Sequence, residues 1–220
     1  MVRKARQVIS ELLAEKQRIV TQFHPLVADT GNRIEDLIDG TAVFPGGSGL
    51  WRGPGFHGAL PENFPDSPIM IIGHNFDSET GYKNSKIRGG ELQAPHTFWG
   101  VLLAYLKSAE LSPFDCFFTN VLMGLKPGSA TGPMPSSKIF ESQCLQFLVK
   151  QIQTVRPRFI ITLGVDAYKR VDKAPLSVSL HSAMHPSARE FKPLITRDHR
   201  INEQGQAIKN SLRRYGLGFQ

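Results

Sequence analysis

The sequence predicts an α/β protein of three layers, in which helices cover both faces of a central, mostly parallel four-stranded sheet. Two apolar runs, residues 69–73 and 159–164, are short and continuous, and each ends in glycine. Runs of this kind are typical of strands that are buried on both faces of a parallel sheet. Stretches with helical spacing alternate with the predicted strands, and this alternation favours parallel pairing. The 220 residues, 40% of them hydrophobic, suffice for one such core.

The N-terminal part of the chain is predicted to lie outside this domain. Apolar residues three or four apart predict an amphipathic helix over residues 3–22, and a short second helix is expected over residues 33–38. Glycine and proline are frequent between residues 40 and 68, which indicates a loop. We therefore divide the chain into an N-terminal helical extension, residues 1–44, and an α/β domain, residues 45–220.

The other elements of the domain follow from the same patterns. Two further strands are predicted over residues 115–121 and 176–184, and a loop rich in Gly, Pro and Ser over residues 127–137. Helices are predicted over residues 96–109, 138–155, 166–171 and 201–214.

Composition limits the classes of function. Lys and Arg number 26 against 19 Asp and Glu, a net charge of +7, and a basic protein favours polyanionic partners such as nucleic acid. The two cysteines, Cys116 and Cys144, form no Cys-x-x-Cys pair, which excludes a zinc ribbon or a four-cysteine iron–sulfur cluster. No long apolar run is present, so we expect a cytoplasmic protein without a signal peptide or membrane span.

Polar side chains follow each predicted strand, where parallel sheets bind their ligands. They are Gly73-His74-Asn75-Phe76 at the end of the first strand, Asn120 near the end of the second, Gly164 at the end of the third and His185-Pro186-Ser187 after the fourth. Each signal is weak alone, since Gly-x-Asn after a strand is more often a plain turn and Asn is a common cap. Their order and their shared position after strands are much less expected by chance.

These residues resemble the motifs of the uracil-DNA glycosylase superfamily, over roughly residues 45–215. The first motif has Phe76 where proline is usual, and His74 is atypical. Asn75 in place of Asp is more similar to the mismatch-specific and single-strand-selective branches. The lack of a cysteine quartet argues against the iron–sulfur branches. The resemblance implies a DNA glycosylase of base excision repair, which needs no cofactor or metal and is expected to act as a monomer on single- or double-stranded DNA.

The resemblance also implies a role for each motif. An extruded base would be bound by Gly73, His74, Phe76 and Asn120, with Asn120 reading its edge because an amide both donates and accepts. His185, neutral or protonated, would stabilise negative charge on the departing base. Asn75 would orient the attacking water, slowly, because an amide is a poor base.

Other residues carry alternatives. Asp77 is a reserve candidate for the base, although a turn-stabilising role is the more usual one. Phe98 and Trp99 are alternative stacking partners, although both more often belong to a core. Ser187 and Arg189 are expected to contact DNA in the minor groove. Phosphate contacts are expected from Arg189, Lys192, Arg197 and Arg200, for which a solvated loop is the alternative.

Two other functions compete with excision. One is a catalytically inactive module that retains the fold and binds bases or DNA. The other is a flavodoxin-like nucleotide-binding protein or small-molecule enzyme. The second predicts a glycine-rich phosphate loop after the first strand, whereas His-Asn-Phe follows Gly73.

Overall fold

A computed structural model of the chain describes residues 2–29, 49–53, 58–129, 132–188 and 196–217. The strands are β1 (Ala28–Asp29), β2 (Ile69–Asn75), β3 (Cys116–Leu122), β4 (Gly124–Leu125), β5 (Phe159–Leu163) and β6 (Leu180–Ala183). The helices are α1 (Ala5–Ile19), α2 (Glu79–Arg88), α3 (Phe98–Ser108), α4 (Lys138–Val155), α5 (Val165–Val171) and α6 (Arg197–Arg214). A short 3-10 helix, Pro113–Asp115, precedes β3.

Four of the strands form one fully parallel sheet with the order β3-β2-β5-β6. The predicted α/β fold with a parallel four-stranded sheet is therefore confirmed. β1 and β4, which the sequence did not predict, form a separate two-stranded antiparallel ribbon. Among the described residues, no helix has the length and apolarity needed to cross a membrane.

The apolar strands are buried on both faces because successive side chains of a strand point in opposite directions. On β2, Met70 and Ile72 pack into a core shared with α1 and α4, whereas Ile69 and Ile71 pack into a second core shared with α3 and α6. All four side chains are at most 1% exposed. Two cores on opposite faces of one sheet make the predicted three layers.

Serine and threonine residues begin most of the helices by capping free backbone N–H groups. The capping side chains are those of Ser78 at α2, Thr97 at α3, Ser137 at α4 and Thr196 at α6. Helix α2 was not predicted, and its sequence explains why: Ser85 is its only buried residue, so no apolar stripe marks it. It ends at Gly89, whose φ of 74° suits glycine.

The N-terminal helix is packed against the domain. Buried residues of α1, including Ile9 and Leu12, share one core with Phe140 and Phe147 of α4. The predicted helix over residues 33–38 lies outside the described residues. So does the division at residues 44 and 45, which therefore stays a prediction.

Candidate active site

The carboxyl ends of the parallel strands meet along one edge of the sheet and carry the motif residues there. Gly73 of β2 is paired in register with Asn120 of β3. His185 follows β6 by two residues, and Gly164 directly follows β5. The topology thus brings together segments that lie more than 100 residues apart in the sequence.

Two cavities open at this edge. One, here called the Asn120 cavity, has a volume of about 500 Å³ and is lined by Asn75, Phe76, Asp77, Glu91, Phe98, Trp99, Asn120, Lys126, His185 and Ser187. The other, the His74 cavity, measures about 620 Å³ and is lined by His74, Asn75, Leu163, Gly164, Val165, Asp166, Ser182, Ala183, Met184, His185, Ala188 and Gln204. Asn75 and His185 line both, so the two cavities meet at these side chains. Both volumes fall in the range of ligand pockets, roughly 300–1,000 Å³.

The amide of Asn120 is held in one orientation by the backbone. The side chain is only 5% exposed. In the orientation that satisfies both ends of the amide, Nδ2 donates to the Thr119 carbonyl at 3.3 Å and Oδ1 accepts from the Phe76 N–H at 3.3 Å. One N–H and one oxygen lone pair remain for a ligand, and their order is fixed. Gly73 makes room for this amide, because a Cβ there would lie 2.2 Å from a terminal atom of the Asn120 side chain.

His185 is arranged as a neutral hydrogen-bond donor. Its Nδ1 accepts the backbone N–H of Ser187 at 3.1 Å, so the proton of the neutral ring is on Nε2. Burial, and then the nearby His74, lower the pKa of His185 below its usual range. The ring of Phe98 lies 5.4 Å from the imidazole, centroid to centroid. These contacts favour the neutral imidazole near pH 7, a choice that the sequence had left open.

Helix α6 holds the His185 loop from both sides. Gln204 Oε1 accepts the Met184 N–H at 2.8 Å, and an Arg200 guanidinium N–H donates to the Ala188 carbonyl at 2.7 Å. Arg200 was predicted to contact phosphates, but it is only 8% exposed and is used to support the loop. Gly164 lies beneath His185: its φ is +89°, and a Cβ there would lie 3.2 Å from the His185 Cβ.

The residues of the first motif divide between the two cavities. Asn75 Nδ2 donates to the Phe76 carbonyl at 2.9 Å, and the Asn75 side chain is also hydrogen-bonded to His74. Because an amide oxygen has two lone pairs, Oδ1 retains one acceptor site. His74 lines the His74 cavity and not the Asn120 cavity, so its base-binding role stays a prediction. Burial, and then Arg170, lower the pKa of His74. Asp77 is exposed, accepts from Ser78 at 3.3 Å and lies 3.8 Å from Lys126, contacts that suit a turn residue.

A family model of the uracil DNA glycosylase superfamily matches residues 61–205 of the 220. The chain belongs to the uracil DNA glycosylase superfamily. This membership indicates a DNA glycosylase-type function with DNA as the substrate. No curated protein gives a significant match to the chain. The resemblance derived from the motifs is thereby confirmed at the level of the superfamily.

Three aromatic residues of this superfamily member, Phe76, Phe98 and Trp99, line the Asn120 cavity. Phe76 stands where the superfamily usually has proline, and its ring packs edge-on against Tyr82 with centroids 5.8 Å apart. Phe98 lies beside His185. Trp99 is 4% exposed and packs against Trp51 and Phe118, so its body belongs to the core.

Two polar residues of the cavity were not found from the sequence. Glu91 lies just beyond the Gly89-Gly90 pair after α2, and Lys126 follows β4. Lys126 is 8% exposed, and its ammonium group donates to the Gly132 carbonyl at 3.2 Å. Asn75 and Asn120 were predicted because they lie at the carboxyl ends of strands of the parallel sheet. Neither Glu91 nor Lys126 lies at such a position, so the sequence did not point to them.

Only some of the residues that were predicted to contact DNA belong to the part of the chain that the structure describes. Ser187 is exposed and lines the Asn120 cavity, where its N–H supports His185. Arg197 is half-buried at the start of α6. Arg189 and Lys192 lie outside the described residues, so their contacts with DNA stay predictions.

Proposed function

We propose that the protein is a monofunctional DNA glycosylase, which extrudes uracil or another deaminated base from DNA and hydrolyses its N-glycosidic bond. One observation carries the proposal: a single cavity of about 500 Å³ is lined by Asn120, Phe76 and His185. Glycosylases must take the target base out of the stack, read its edge and cover its face. An oriented amide, an aromatic ring and an imidazole donor are suited to these tasks.

The fixed amide of Asn120 favours a deaminated base. Its remaining N–H would donate to a ring carbonyl, and its remaining oxygen lone pair would accept from the adjacent ring N–H. Uracil, hypoxanthine and xanthine all present a carbonyl beside an N–H. Cytosine and adenine present the reverse order, an amino group beside an unprotonated ring nitrogen, so the same amide would oppose them. Phe76 would stack on the ring, with Phe98 on the side of His185.

His185 would stabilise the departing base. When the bond between C1′ and the base nitrogen breaks, its electron pair goes to the base and negative charge develops on a carbonyl oxygen. A donor that is already oriented in a water-poor cavity stabilises such charge without reorganisation. The Nε2–H of a neutral His185 is that donor in our mechanism. The base then takes up a proton from water and leaves as the free base.

Water would reach C1′ from the His74 cavity. The two cavities meet at Asn75 and His185, so a base in the Asn120 cavity would place its sugar at the junction. Asn75 Oδ1 would accept a hydrogen bond from the water and aim its oxygen at the sugar carbon. We expect slow chemistry, because an amide orients water but does not remove its proton.

The other base and DNA contacts come from the motifs. Gly73 keeps the base edge open by leaving space for Asn120. His74 completes the first motif from the adjoining cavity. Ser187 and Arg189 would enter the minor groove and occupy the space that the base leaves.

An inactive binding module is the second candidate. One observation favours it: Asn75 has an amide at the position where a carboxylate would be the stronger base. The Nδ2 of this amide already donates to the Phe76 carbonyl. Such a module would bind the extruded base and leave the glycosidic bond intact.

A glycosylase screen separates the two candidates. Single-turnover reactions would use single- and double-stranded oligonucleotides that carry uracil, hypoxanthine or xanthine, and alkali would then cut the abasic sites. We expect cleavage of at least one deaminated base, and none by the Asn75→Ala/His185→Ala double variant at the same enzyme concentration. DNA binding by the wild type with no cleavage of any lesion would reject the glycosylase and favour the module.

A further inference from the structure

Glu91 is an acidic side chain in the Asn120 cavity, where the motif residues Phe76, Asn120 and neutral His185 carry no charge. It lines the Asn120 cavity together with Phe76, Phe98 and His185. One carboxyl oxygen, Oε1, is buried and has no hydrogen-bond partner among the described residues. A buried polar atom left without a partner costs about 1–3 kcal/mol, and more when the group is charged, so this environment disfavours the ionised carboxylate.

We propose that Glu91 is a specificity-determining residue, which donates a hydrogen bond from its protonated carboxyl group to a carbonyl oxygen of the bound base. The inference rests on the proposed function, and it adds a second polar contact on the base besides Asn120. A carboxylic acid has one O–H donor, whereas a carboxylate has only acceptors. The protonated form therefore suits a carbonyl of uracil, and the ionised form repels that same carbonyl.

The surroundings of Glu91 support the protonated form. Burial raises the pKa of Glu91 above its usual range, and the charge of Asp77 acts in the same direction. A hydrogen bond from Ser85 and the charge of Arg88, both on α2, act in the opposite direction and are weaker than burial. Among the described residues that line the cavity from other elements, Asp77, Lys126 and His185 are the charged and titratable ones.

The proposal predicts a direction for the pH dependence of base binding. Because the pKa of Glu91 is raised, the acid is present at low pH and is lost as the pH rises through that value. Uracil affinity should then fall with rising pH, approaching tenfold per pH unit once Glu91 is ionised. Ionised Glu91 accepts from an amino group, so the preference for uracil over cytosine should narrow at the same time.

Glu91→Gln provides the test, because an amide donates at every pH. Free uracil and free cytosine would be titrated into the full-length protein between pH 4.5 and 8.5, with binding followed by calorimetry. We expect the affinity of the wild type for uracil to fall across this range and that of Glu91→Gln to remain level. The variant retains His74 and His185, so their titration affects both proteins equally. Glu62→Gln, which changes a carboxyl group that is 79% exposed, is the matched control and should follow the wild type.

The outcomes separate this proposal from the proposed function. If the wild type binds or excises uracil with the same pH profile and base preference as Glu91→Gln, the proposed role of Glu91 is wrong. The proposed glycosylase function would be unaffected by that result. Wild type that binds no base at any pH, and cuts none, would overturn both. If uracil affinity is independent of pH in Glu91→Gln and not in the wild type, the result supports a hydrogen bond from Glu91 to the base. A substitution that only disturbed the structure would lower the affinity at every pH.

Discussion

Two backbone contacts of Asn120 fix which end of its amide donates. Replacing it with Asp puts a carboxylate oxygen 3.3 Å from the Thr119 carbonyl and removes the donor for a base carbonyl. The lost hydrogen bond costs about 1–3 kcal/mol, so we expect Asn120→Asp to slow uracil excision roughly 5- to 150-fold. Single-turnover rates on uracil and on cytosine substrates would measure both the loss and the changed preference.

The same chemical change elsewhere provides the control. Asn202→Asp alters an exposed amide on α6 and should leave both rates unchanged. An Asn120→Asp variant that retained the wild-type rate and lesion profile would show that another group reads the base.

His185 and Asn75 lie at the junction of the two cavities, and in the proposed mechanism His185 acts on the base and Asn75 on the water. Losing one oriented donor to a developing anion typically costs roughly 10²–10³ in rate, and we expect this from His185→Ala. Asn75→Ala should cost as much or more, because the water loses its position. Neither residue is assigned a phosphate contact, so DNA binding at equal salt should persist in both variants.

His199→Ala is a suitable control, since His199 is 60% exposed on α6 and outside both cavities. Wild-type single-turnover rates in both His185→Ala and Asn75→Ala would contradict the mechanism. Loss of DNA binding in step with rate would instead indicate that the loop had been disturbed.

At the scale of elements, α6 positions the loop that follows β6 and carries His185. Gln204 accepts the Met184 N–H one residue before His185. A misplacement of about 1 Å can cost 10²-fold in rate, so we expect Gln204→Ala to slow excision about tenfold or more with DNA binding retained. Gln204→Glu keeps an acceptor and should restore most of the rate.

Thermal melting distinguishes positioning from folding in this series. Gln206→Ala, at an exposed position of the same helix, should match the wild type in rate and in Tm. If Gln204→Glu were as slow as Gln204→Ala, the hydrogen bond to Met184 would not be what positions His185.

The elements differ in how far they could be predicted from the sequence. The run at residues 69–73 was recognised because burial on both faces demands continuous apolar residues, and its carboxyl end then located Asn75 and, through the neighbouring strand, Asn120. Helix α2 was missed because it buries only Ser85 and has no apolar period. The sequence therefore predicts best those elements whose burial leaves a pattern.

Residues that depend on distant packing could not be predicted. Glu91 enters the cavity through a loop after α2, and nothing in its neighbours signals that position. Arg200 was expected at phosphates together with Arg189, Lys192 and Arg197, yet the fold buries it against the Ala188 carbonyl. The neutral form of His185 likewise depends on a contact with Ser187 that only the folded loop creates.

At the scale of the whole molecule, the net charge of +7 overstates the charge that DNA can reach. Lys16, Lys126 and Arg200 are 1%, 8% and 8% exposed, and each has a bonding partner within the protein. These three cations serve the fold and the site, so the phosphates must be met by others.

We expect DNA binding to weaken steeply as salt rises, because each phosphate neutralised by Lys or Arg releases bound counterions. The logarithm of affinity should fall linearly with the logarithm of salt concentration, with a slope of about −0.9 per phosphate contact on duplex DNA and about −0.7 on single strands. Fluorescence anisotropy of a labelled oligonucleotide between about 50 and 200 mM salt measures this slope. Free uracil carries no phosphate, so its binding in the same buffers should change little and provides the internal control.

Because Arg200 is buried beneath the loop, Arg200→Met should leave the slope unchanged while it slows excision. An affinity for DNA that is flat with salt would show that binding does not depend on phosphate contacts. A slope that drops by about one in Arg200→Met would show that Arg200 itself contacts a phosphate.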